Sequence, residues 1–333
     1  MSRTPTSRDV AKAARVSQAT VSYVLAGKGA ISPETRARVL RAAEEINYRP
    51  NLAARSMRTR RSGRLALVVP ILFYNPNRLL ASAAEVAEAA GYTLEIHNIP
   101  GSGDEQRVRI ESLIANGQFE GILVLAQLGA SELPQGDATT VTMALSEFDD
   151  HLHGVGELAD ASPIWSFVEH LAGLGFRRFL HVAGDPTFAS ARARRRTYLE
   201  AVEQLGLQSV GVFDGDWSGR SGEAAIHRLP NDTPPLAVIA SNDICAAGVI
   251  RAAFARGWTV PDQVAVTGWD NVEMSELLRP SLTTVNIDFG ELGRRSMTRL
   301  LSLLRDEDAP SPNTRLQQIV WRESTAVPAA HNI

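Results

Sequence analysis

A chain of 333 residues is long for one domain, and its 44% apolar and 21% charged residues are typical of an ordinary globular protein. The sequence has no run of eighteen apolar residues and no apolar leader, which argues against a membrane span or signal peptide and favours the cytoplasm. The single cysteine, Cys245, excludes an intramolecular disulfide. The net charge of −3 combines +10 over residues 1–64 with −13 over the rest, so we expect a polyanion partner at the N-terminal end only.

The basic N-terminal segment predicts three short helices. Ser7 is expected to cap the first helix, and Ser17 the second. After the glycine-rich turn AGKGA, Ser32 followed by Pro33 supplies the cap and the first residue of a third helix. Two short helices that are joined by a tight turn and braced by a third form a helix-turn-helix.

The second of these helices has the side chains of a helix that reads a DNA major groove. Gln18, Ala19 and Tyr23 are predicted to point outward. Glutamine can form two hydrogen bonds with adenine, alanine can contact a thymine methyl group, and tyrosine can donate to a base or a phosphate. The alternative is that these residues simply cover an exposed helix.

A specific resemblance covers nearly all of residues 8–60, which read RDVAKAARVSQATVSYVLAGKGAISPETRARVLRAAEEINYRPNLAARSMRT and onward. This segment resembles the DNA-binding head of the LacI/GalR family of bacterial transcription regulators. The resemblance implies that residues 51–57 form a hinge helix, which wedges Met57 into the minor groove where relatives usually have leucine. Tyr23 stands where relatives more often have arginine, so we expect an unusual half-site preference. The implied DNA-contacting residues are Ser17, Gln18, Ala19, Thr20, Ser22, Tyr23, Lys28, Asn51, Arg55, Met57 and Arg58.

From Arg64 onward, short apolar segments of the buried-strand type alternate with helical segments. This alternation predicts parallel sheets that bind ligands at the carboxyl ends of their strands. Two such sets of strands predict two lobes around a cleft. The predicted strands are residues 64–71, 93–99, 121–126, 176–184, 210–215, 236–243 and 264–270.

The predicted fold is therefore an all-α, three-helix helix-turn-helix head with a hinge helix, followed by an α/β two-lobed domain of two parallel sheets flanked by helices. The resemblance extends to this second part, which is similar to the periplasmic-binding-protein-like effector domain of the same family. The expected boundaries are 1–49 for the head, 50–63 for the hinge helix and linker, and 64–333 for the effector-binding and dimerisation domain. Within the latter, the N-lobe is expected at about 64–158 and 289–316, and the C-lobe at about 159–288 and 317–328.

The resemblance also implies an effector site. Its implied residues are Ile71, Tyr74, Arg194, Trp217, Asn242 and Asp270. A guanidinium, a carboxylate and an amide can share neighbouring hydroxyl groups of a ligand, while an indole covers an apolar ring face. Alternatively, Asn242 and Asp270 cap helices, Arg194 lies on a solvated helix face, and Trp217 belongs to the core.

No cofactor or metal site is predicted. The segment DGDWSGRSGEAA starts like a calcium loop but ends in Ala225, where the bidentate glutamate is needed. His151 and His153 form an isolated His-x-His pair without a third ligand.

The predicted function is a non-enzymatic transcription regulator, a repressor that binds a palindromic operator in double-stranded DNA as a homodimer. A small effector, expected to be a sugar or a related polyhydroxy compound, controls it from the cleft. The alternatives are a regulator that needs a purine or nucleoside co-repressor, a solute-binding protein, and a sugar-processing enzyme.

Overall fold

A computed structural model gives the fold and separates the chain into two compact units, residues 1–63 and 64–333. The residues that it describes are 5–25, 31–48, 62–69, 77–99, 104–125, 140–145, 154–312 and 314–326. The hinge helix predicted within residues 50–63 therefore lies almost entirely outside the described residues. Within those ranges, no helix is long and apolar enough to cross a membrane.

The N-terminal unit contains three helices, α1 (Ser7–Ala14), α2 (Gln18–Leu25) and α3 (Pro33–Glu45). Their buried apolar faces form one small core, in which Val10, Val21 and Val39 have no exposed surface. The helix-turn-helix prediction is confirmed, as are two of its caps. The backbone N–H of Thr20 donates to Ser17 Oγ at 3.0 Å, and that of Thr35 donates to Ser32 Oγ at 3.3 Å.

The predicted cap of the first helix is wrong by one residue. Thr6 precedes α1 with an extended backbone, and its N–H and hydroxyl both donate to Asp9 Oδ2, at 2.8 and 2.7 Å. Ser7 is instead the first helical residue, and its hydroxyl accepts a hydrogen bond from Gln18 at 2.9 Å. An acidic residue three positions after the cap favours Thr6 because it satisfies the cap residue's own backbone N–H.

The first lobe of the second unit is built on a parallel four-stranded sheet in the order β2-β1-β3-β4. Its strands are β1 (Arg64–Val69), β2 (Thr93–Asn98), β3 (Gly121–Val124) and β4 (Val141–Ala144), and its helices include α4 (Asn77–Ala89) and α5 (Asp104–Ala115). The central strands β1 and β3 are almost entirely buried, which explains their continuous apolar runs.

The second lobe repeats this architecture with the strand order β6-β5-β7-β8, again all parallel. Its strands are β5 (Arg178–Val182), β6 (Gln208–Phe213), β7 (Leu236–Ala240) and β8 (Val264–Thr267). Its helices are α6 (Ser162–Gly173), α7 (Ala189–Gln204), α8 (Gly219–His227), α9 (Asp243–Ala255) and the short α10 (Glu273–Leu277). The prediction of two parallel sheets flanked by helices is confirmed.

The C-terminal segment connects the two lobes. An antiparallel pair, β9 (Thr284–Ile287) and β10 (Gln317–Val320), adjoins the second lobe through a bridge between Asp270 and Asn286. Between these strands, α11 (Phe289–Arg305) packs on α4 and β3 of the first lobe. Gly293 permits this packing, since a Cβ there would lie 2.3 Å from the backbone oxygen of Leu79.

Candidate functional site

The helix α2 divides cleanly into a buried and an exposed face. Val21 and Val24 pack into the core of the N-terminal unit. Gln18, Ala19 and Tyr23 are exposed, as predicted, and Tyr23 has 54% of its surface accessible. The outward face therefore combines an amide, a methyl group and a phenol, which can contact base edges and phosphates.

The polar groups at the start of α2 are held in place by neighbouring side chains. Gln18 Nε2 donates to Ser7 Oγ at 2.9 Å, which leaves the amide oxygen and the second amide hydrogen for another partner. The hydroxyl groups of Ser17 and Thr20 lie 2.8 Å apart in a shared hydrogen bond. Ser17 is exposed, whereas Thr20 and Ser22 are half-buried.

The remaining predicted contacts to DNA lie outside the described residues. They are Lys28, Asn51, Arg55, Met57 and Arg58.

A second cluster of polar groups forms at the carboxyl ends of the second-lobe strands, and Arg194 of α7 is its centre. Arg194 is 5% exposed, so it is not part of a solvated helix face. Its Nη1 donates to the backbone oxygen of Ser241 at 2.6 Å, and its guanidinium carbon lies 3.9 Å from the ring centroid of Trp269. Burial lowers the pKa of Arg194 to about 10, a value at which it stays charged at neutral pH.

Asp270 supplies the negative charge of this cluster. It follows β8 with φ at 101°, a backbone conformation that is unfavourable for a residue with a side chain. Burial raises the pKa of Asp270 to about 7; attraction to Arg194 lowers this pKa, and repulsion from Asp243 raises it further. The carboxyl group of Asp270 therefore changes charge near neutral pH. Residues with a strained backbone, such as Asp270, concentrate at functional sites.

Trp217 places an aromatic surface beside the same guanidinium. Its indole lies directly on Gly184, where a Cβ atom would be 2.3 Å from the ring, so only glycine fits beneath it. The indole contacts Phe188 edge to face at 5.3 Å between centroids, and its centroid is 5.8 Å from the guanidinium of Arg194. The indole Nε1 is buried, and within the described residues it has no hydrogen-bond partner. Trp217 is half-buried and has φ at 67°.

Asn242 acts mainly as a positioning residue. Its Oδ1 accepts from the backbone N–H of Cys245 at 2.7 Å, which caps α9. Its Nδ2 donates to the backbone oxygen of Trp217 at 3.0 Å. The helix-cap interpretation of Asn242 is therefore correct, and the same amide holds the strained backbone of Trp217. One hydrogen of its amide group remains for a ligand.

Sequence reasoning missed Asp243, which orders the loop that follows Asp270. Its Oδ1 accepts from Thr284 Oγ1 at 2.5 Å, and its Oδ2 accepts from the N–H of Val272 at 2.9 Å and from Ser275 Oγ at 2.5 Å. It is 1% exposed, and burial raises its pKa. The only signal in the sequence is an acidic residue in the first turn of a helix after a buried strand.

The structure thus brings together four of the six predicted effector-binding residues, Arg194, Trp217, Asn242 and Asp270. Ile71 and Tyr74 lie outside the described residues. A buried cation, a carboxyl group and a fixed indole thus lie together at the strand ends, where they offer hydrogen-bonding groups of both charges beside an aromatic surface.

The raised pKa of Asp270 predicts a pH-dependent stability. The carboxyl group of Asp270 has a pKa of about 7 in the folded chain and about 3.8 when it is free, so proton binding stabilises the folded state. This contribution to the free energy of unfolding is complete at low pH and is lost as the pH rises through 7. Between pH 6 and 8 this amounts to about 1 kcal/mol, or about 2–4 °C in Tm. We expect the Tm of the wild type to fall by that amount relative to Asp270→Asn over this range.

Differential scanning calorimetry of both proteins checks this prediction. Asp232→Asn, which changes an exposed aspartate, should follow the wild type. Parallel curves of Tm against pH for wild type and Asp270→Asn would show that Asp270 does not titrate in this range.

Within the described ranges, no group of three His, Cys, Asp or Glu side chains is arranged to hold a metal ion. His151 and His153 lie outside these ranges.

Parts of both units match known protein families. Residues 6–51 match the family described as "Bacterial regulatory proteins, lacI family", and residues 168–325 match "Periplasmic binding protein-like domain". The HTH-type transcriptional regulator AscG of Escherichia coli is 30% identical, over 96% of this chain and 98% of its own length. The ribose operon repressor of Halalkalibacterium halodurans is also 30% identical, over 96% and 97%. A crystal structure of the lac repressor dimer bound to operator and the anti-inducer ONPF matches with a TM-score of 0.71 and 26% identity, and covers 97% of this chain and 99% of that one.

Proposed function

The chain belongs to the LacI family of bacterial regulatory proteins, and from this premise we propose that it represses transcription as a homodimer controlled by a small effector. The observation that carries the proposal is the exposed face of α2, where Gln18, Ala19 and Tyr23 lie outside the apolar core of their own unit. The +10 charge of residues 1–64 supplies attraction to the phosphates around that face. A regulator of chromosomal operators acts in the bacterial cytoplasm.

The operator is expected to be palindromic. One head reads one half-site, so a two-fold symmetric dimer requires two inverted half-sites. Residues 1–49 form the DNA-reading head in this proposal, residues 50–63 the hinge, and residues 64–333 the domain that dimerises and binds the effector. The hinge includes Asn51, Arg55, Met57 and Arg58, for which we propose contacts with the minor groove and its phosphates.

We propose a sugar or a related polyhydroxy compound as the effector. Arg194 and Asp270 provide a donor and an acceptor of opposite charge, which together can bind two neighbouring hydroxyl groups. The indole of Trp217 lies beside them and can cover a sugar ring. One 30% identical relative is named a ribose operon repressor, which supports this class of ligand.

Control of DNA binding follows from differential affinity. An effector that releases the operator must bind more tightly to the DNA-free form than to the DNA-bound form, and the operator weakens effector binding by the same factor. A ligand that contacts both the strand ends of the second lobe and the first lobe would change the relative arrangement of the two lobes. A mobility-shift assay with a panel of pentoses and hexoses tests this step, and at least one sugar should release the DNA.

The ligand is expected to leave the protein unchanged. Turnover of a sugar needs an acid and a base on either side of the reacting bond. The two carboxyl groups that act on Arg194 are those of Asp270 and Asp243, and both oxygens of Asp243 already accept hydrogen bonds from the protein. Mass spectrometry of a bound sugar after prolonged incubation should recover it intact; a hydrolysed or oxidised product would identify an enzyme.

Truncation of Gln18 tests the proposed reading face. We expect Gln18→Ala to weaken operator binding by about 5- to 150-fold, because one base contact contributes about 1–3 kcal/mol. Fluorescence anisotropy with labelled operator at fixed salt measures the loss. Glu45→Gln, an exposed change on α3, should alter affinity by no more than about twofold.

Loss of the Ser7 contact could also destabilise the head, so the Tm of Gln18→Ala is compared with that of the wild type. An affinity equal to that of the wild type would show that Gln18 does not contact the operator.

A further inference from the structure

A groove separate from the strand-end cluster runs between helix α6 and strand β10. It encloses about 640 Å³, a volume within the range of small-molecule sites. Ser162, Pro163 and Ser166 of α6 form one wall, and Gln317 and Ile319 of β10 form the other. The lining residues of each element lie on one face, because residues four apart on a helix and two apart on a strand point in the same direction.

An aromatic cluster follows the groove lining along both walls. Trp321 continues the strand face of Gln317 and Ile319, and its ring contacts His170 and Phe167 of α6 at 4.2 and 5.6 Å between centroids. His170 in turn continues the helix face of Ser162 and Ser166. Trp321 nevertheless has 45% of its surface exposed. Pro163 and Ile319 of the groove lining offer an apolar surface to a ligand, and the accessible indole of Trp321 lies beyond Ile319 along the chain.

The other end of the groove carries both signs of charge. Arg315 is exposed, and among the described residues its guanidinium has no partner. Asp160 accepts from the N–H and the hydroxyl of Ser162, each at 2.9 Å, and each of its exposed oxygens can still accept from a ligand. Glu157 is already engaged, because it accepts from the N–H of Leu316 at 2.5 Å and pairs with Arg295 at 3.3 Å.

We propose that this groove binds an α-amino acid with a large apolar side chain. Its carboxylate pairs with Arg315, its ammonium group with Asp160, and its side chain lies along Pro163 and Ile319 toward Trp321. A neutral sugar would leave both charges of the groove unused. A phosphate would meet the carboxylates of Asp160 and Glu157 at close range, which is unfavourable.

The position of the groove gives such a ligand a route to regulation. Gln317 Nε2 donates to the backbone oxygens of Glu157 and Leu158, at 3.0 and 3.2 Å, and Glu157 pairs with Arg295 of α11. These contacts join the segments through which the chain passes between the lobes. A bound amino acid therefore stabilises one arrangement of those segments, independently of any ligand at Arg194.

Isothermal titration calorimetry of the full chain with L-phenylalanine and L-leucine tests the proposal. We expect saturable binding of at least one of them. For L-phenylalanine, 3-phenylpropionate lacks the ammonium group and 2-phenylethylamine lacks the carboxylate, so each should bind at least tenfold more weakly. Arg315→Gln and Asp160→Asn should each weaken amino acid binding at least tenfold, whereas Arg299→Gln, an exposed change on α11, should leave it unchanged.

Arg194→Ala separates this groove from the strand-end cluster. Amino acid binding should survive this change; its loss would place the ligand at Arg194 and overturn the proposal. Absence of binding at millimolar amino acid, or binding that is unaffected by both Arg315→Gln and Asp160→Asn, would also overturn it. Sugar binding is measured in parallel on the same proteins. Absence of amino acid binding to the full chain with intact sugar binding would exclude the groove, whereas absence of sugar binding alone would exclude the proposed effector site.

Discussion

Removal of residues 1–63 is expected to abolish specific operator binding and to leave effector affinity within about threefold of the full chain. Every proposed DNA contact lies within this unit, which has its own core around Val10, Val21 and Val39. Residues 64–333 retain their own apolar cores in both lobes. Since specific complexes are about 10³- to 10⁷-fold tighter than non-specific ones, the loss of operator affinity should be at least a thousandfold.

Fluorescence anisotropy measures operator binding by the truncated chain, and calorimetry with the releasing sugar measures its effector binding. The full chain carrying both Gln18→Ala and Tyr23→Ala is the matched control, because it keeps the head but alters its exposed face. It should lose operator-specific binding, keep the non-specific attraction of its basic head to DNA, and bind the effector as the wild type does. Loss of effector affinity on truncation would show that residues 64–333 do not bind ligand as an independent unit.

Replacement of Arg194 by alanine should have the converse effect. Operator binding should persist, whereas the sugar concentration that releases the DNA should rise by about 10- to 150-fold, because a charge-assisted hydrogen bond contributes about 1.5–3 kcal/mol. The variant also leaves Asp270 without its cation, so a lower Tm is expected. Titration of the operator complex with sugar measures the effect.

Arg196→Ala is the control for this experiment, because Arg196 is exposed two residues further along α7 and, among the residues that the structure describes, pairs only with Glu200. It should release DNA at the same sugar concentration as the wild type. If Arg194→Ala responds to sugar as the wild type does, the effector does not contact the guanidinium, and the assignment of the site is wrong.

The helices of the head were predictable because their signals are local. Ser17 and Ser32 precede apolar repeats of helical period, and Pro33 marks a first turn. The buried strands were equally predictable, since a short continuous apolar run such as LAVIA at 236–240 is typical of a strand buried in a parallel sheet. The resemblance to a known family led to Arg194, Trp217, Asn242 and Asp270, which the structure brings to one edge of a sheet.

Boundaries and side-chain roles depended on tertiary contacts that a sequence does not display. The strand predicted to reach residue 243 ends at Ala240, because Asn242 turns the chain into α9 as its cap. Asp243 could not be recognised, since its partners Ser275 and Thr284 lie more than thirty residues away. No prediction identified β4, β9 and β10, which are four residues long like the predicted β3 and β8 but lack their continuous burial.

The burial and backbone conformation of the site residues could not be predicted from the sequence either. An arginine within ARARRR carries no sign of its burial, which results from the packing of α7 against β5 and β6, from the hydrogen bond to the Ser241 backbone and from the ring of Trp269. The left-handed backbone at Trp217 and Asp270 is likewise set by distant contacts, among them the hydrogen bond from Asn242 to the Trp217 backbone.

We propose that this chain reads a specific DNA sequence under the control of a ligand. Selection of bound sequences from random DNA by the purified full chain, at moderate salt, tests it most directly, because salt alters phosphate contacts by orders of magnitude. We expect enrichment of an inverted repeat, and we expect this enrichment to be lost when Gln18→Ala and Tyr23→Ala are combined. Failure to enrich any sequence, in the absence of ligand and again with sugars and purines present, would contradict it.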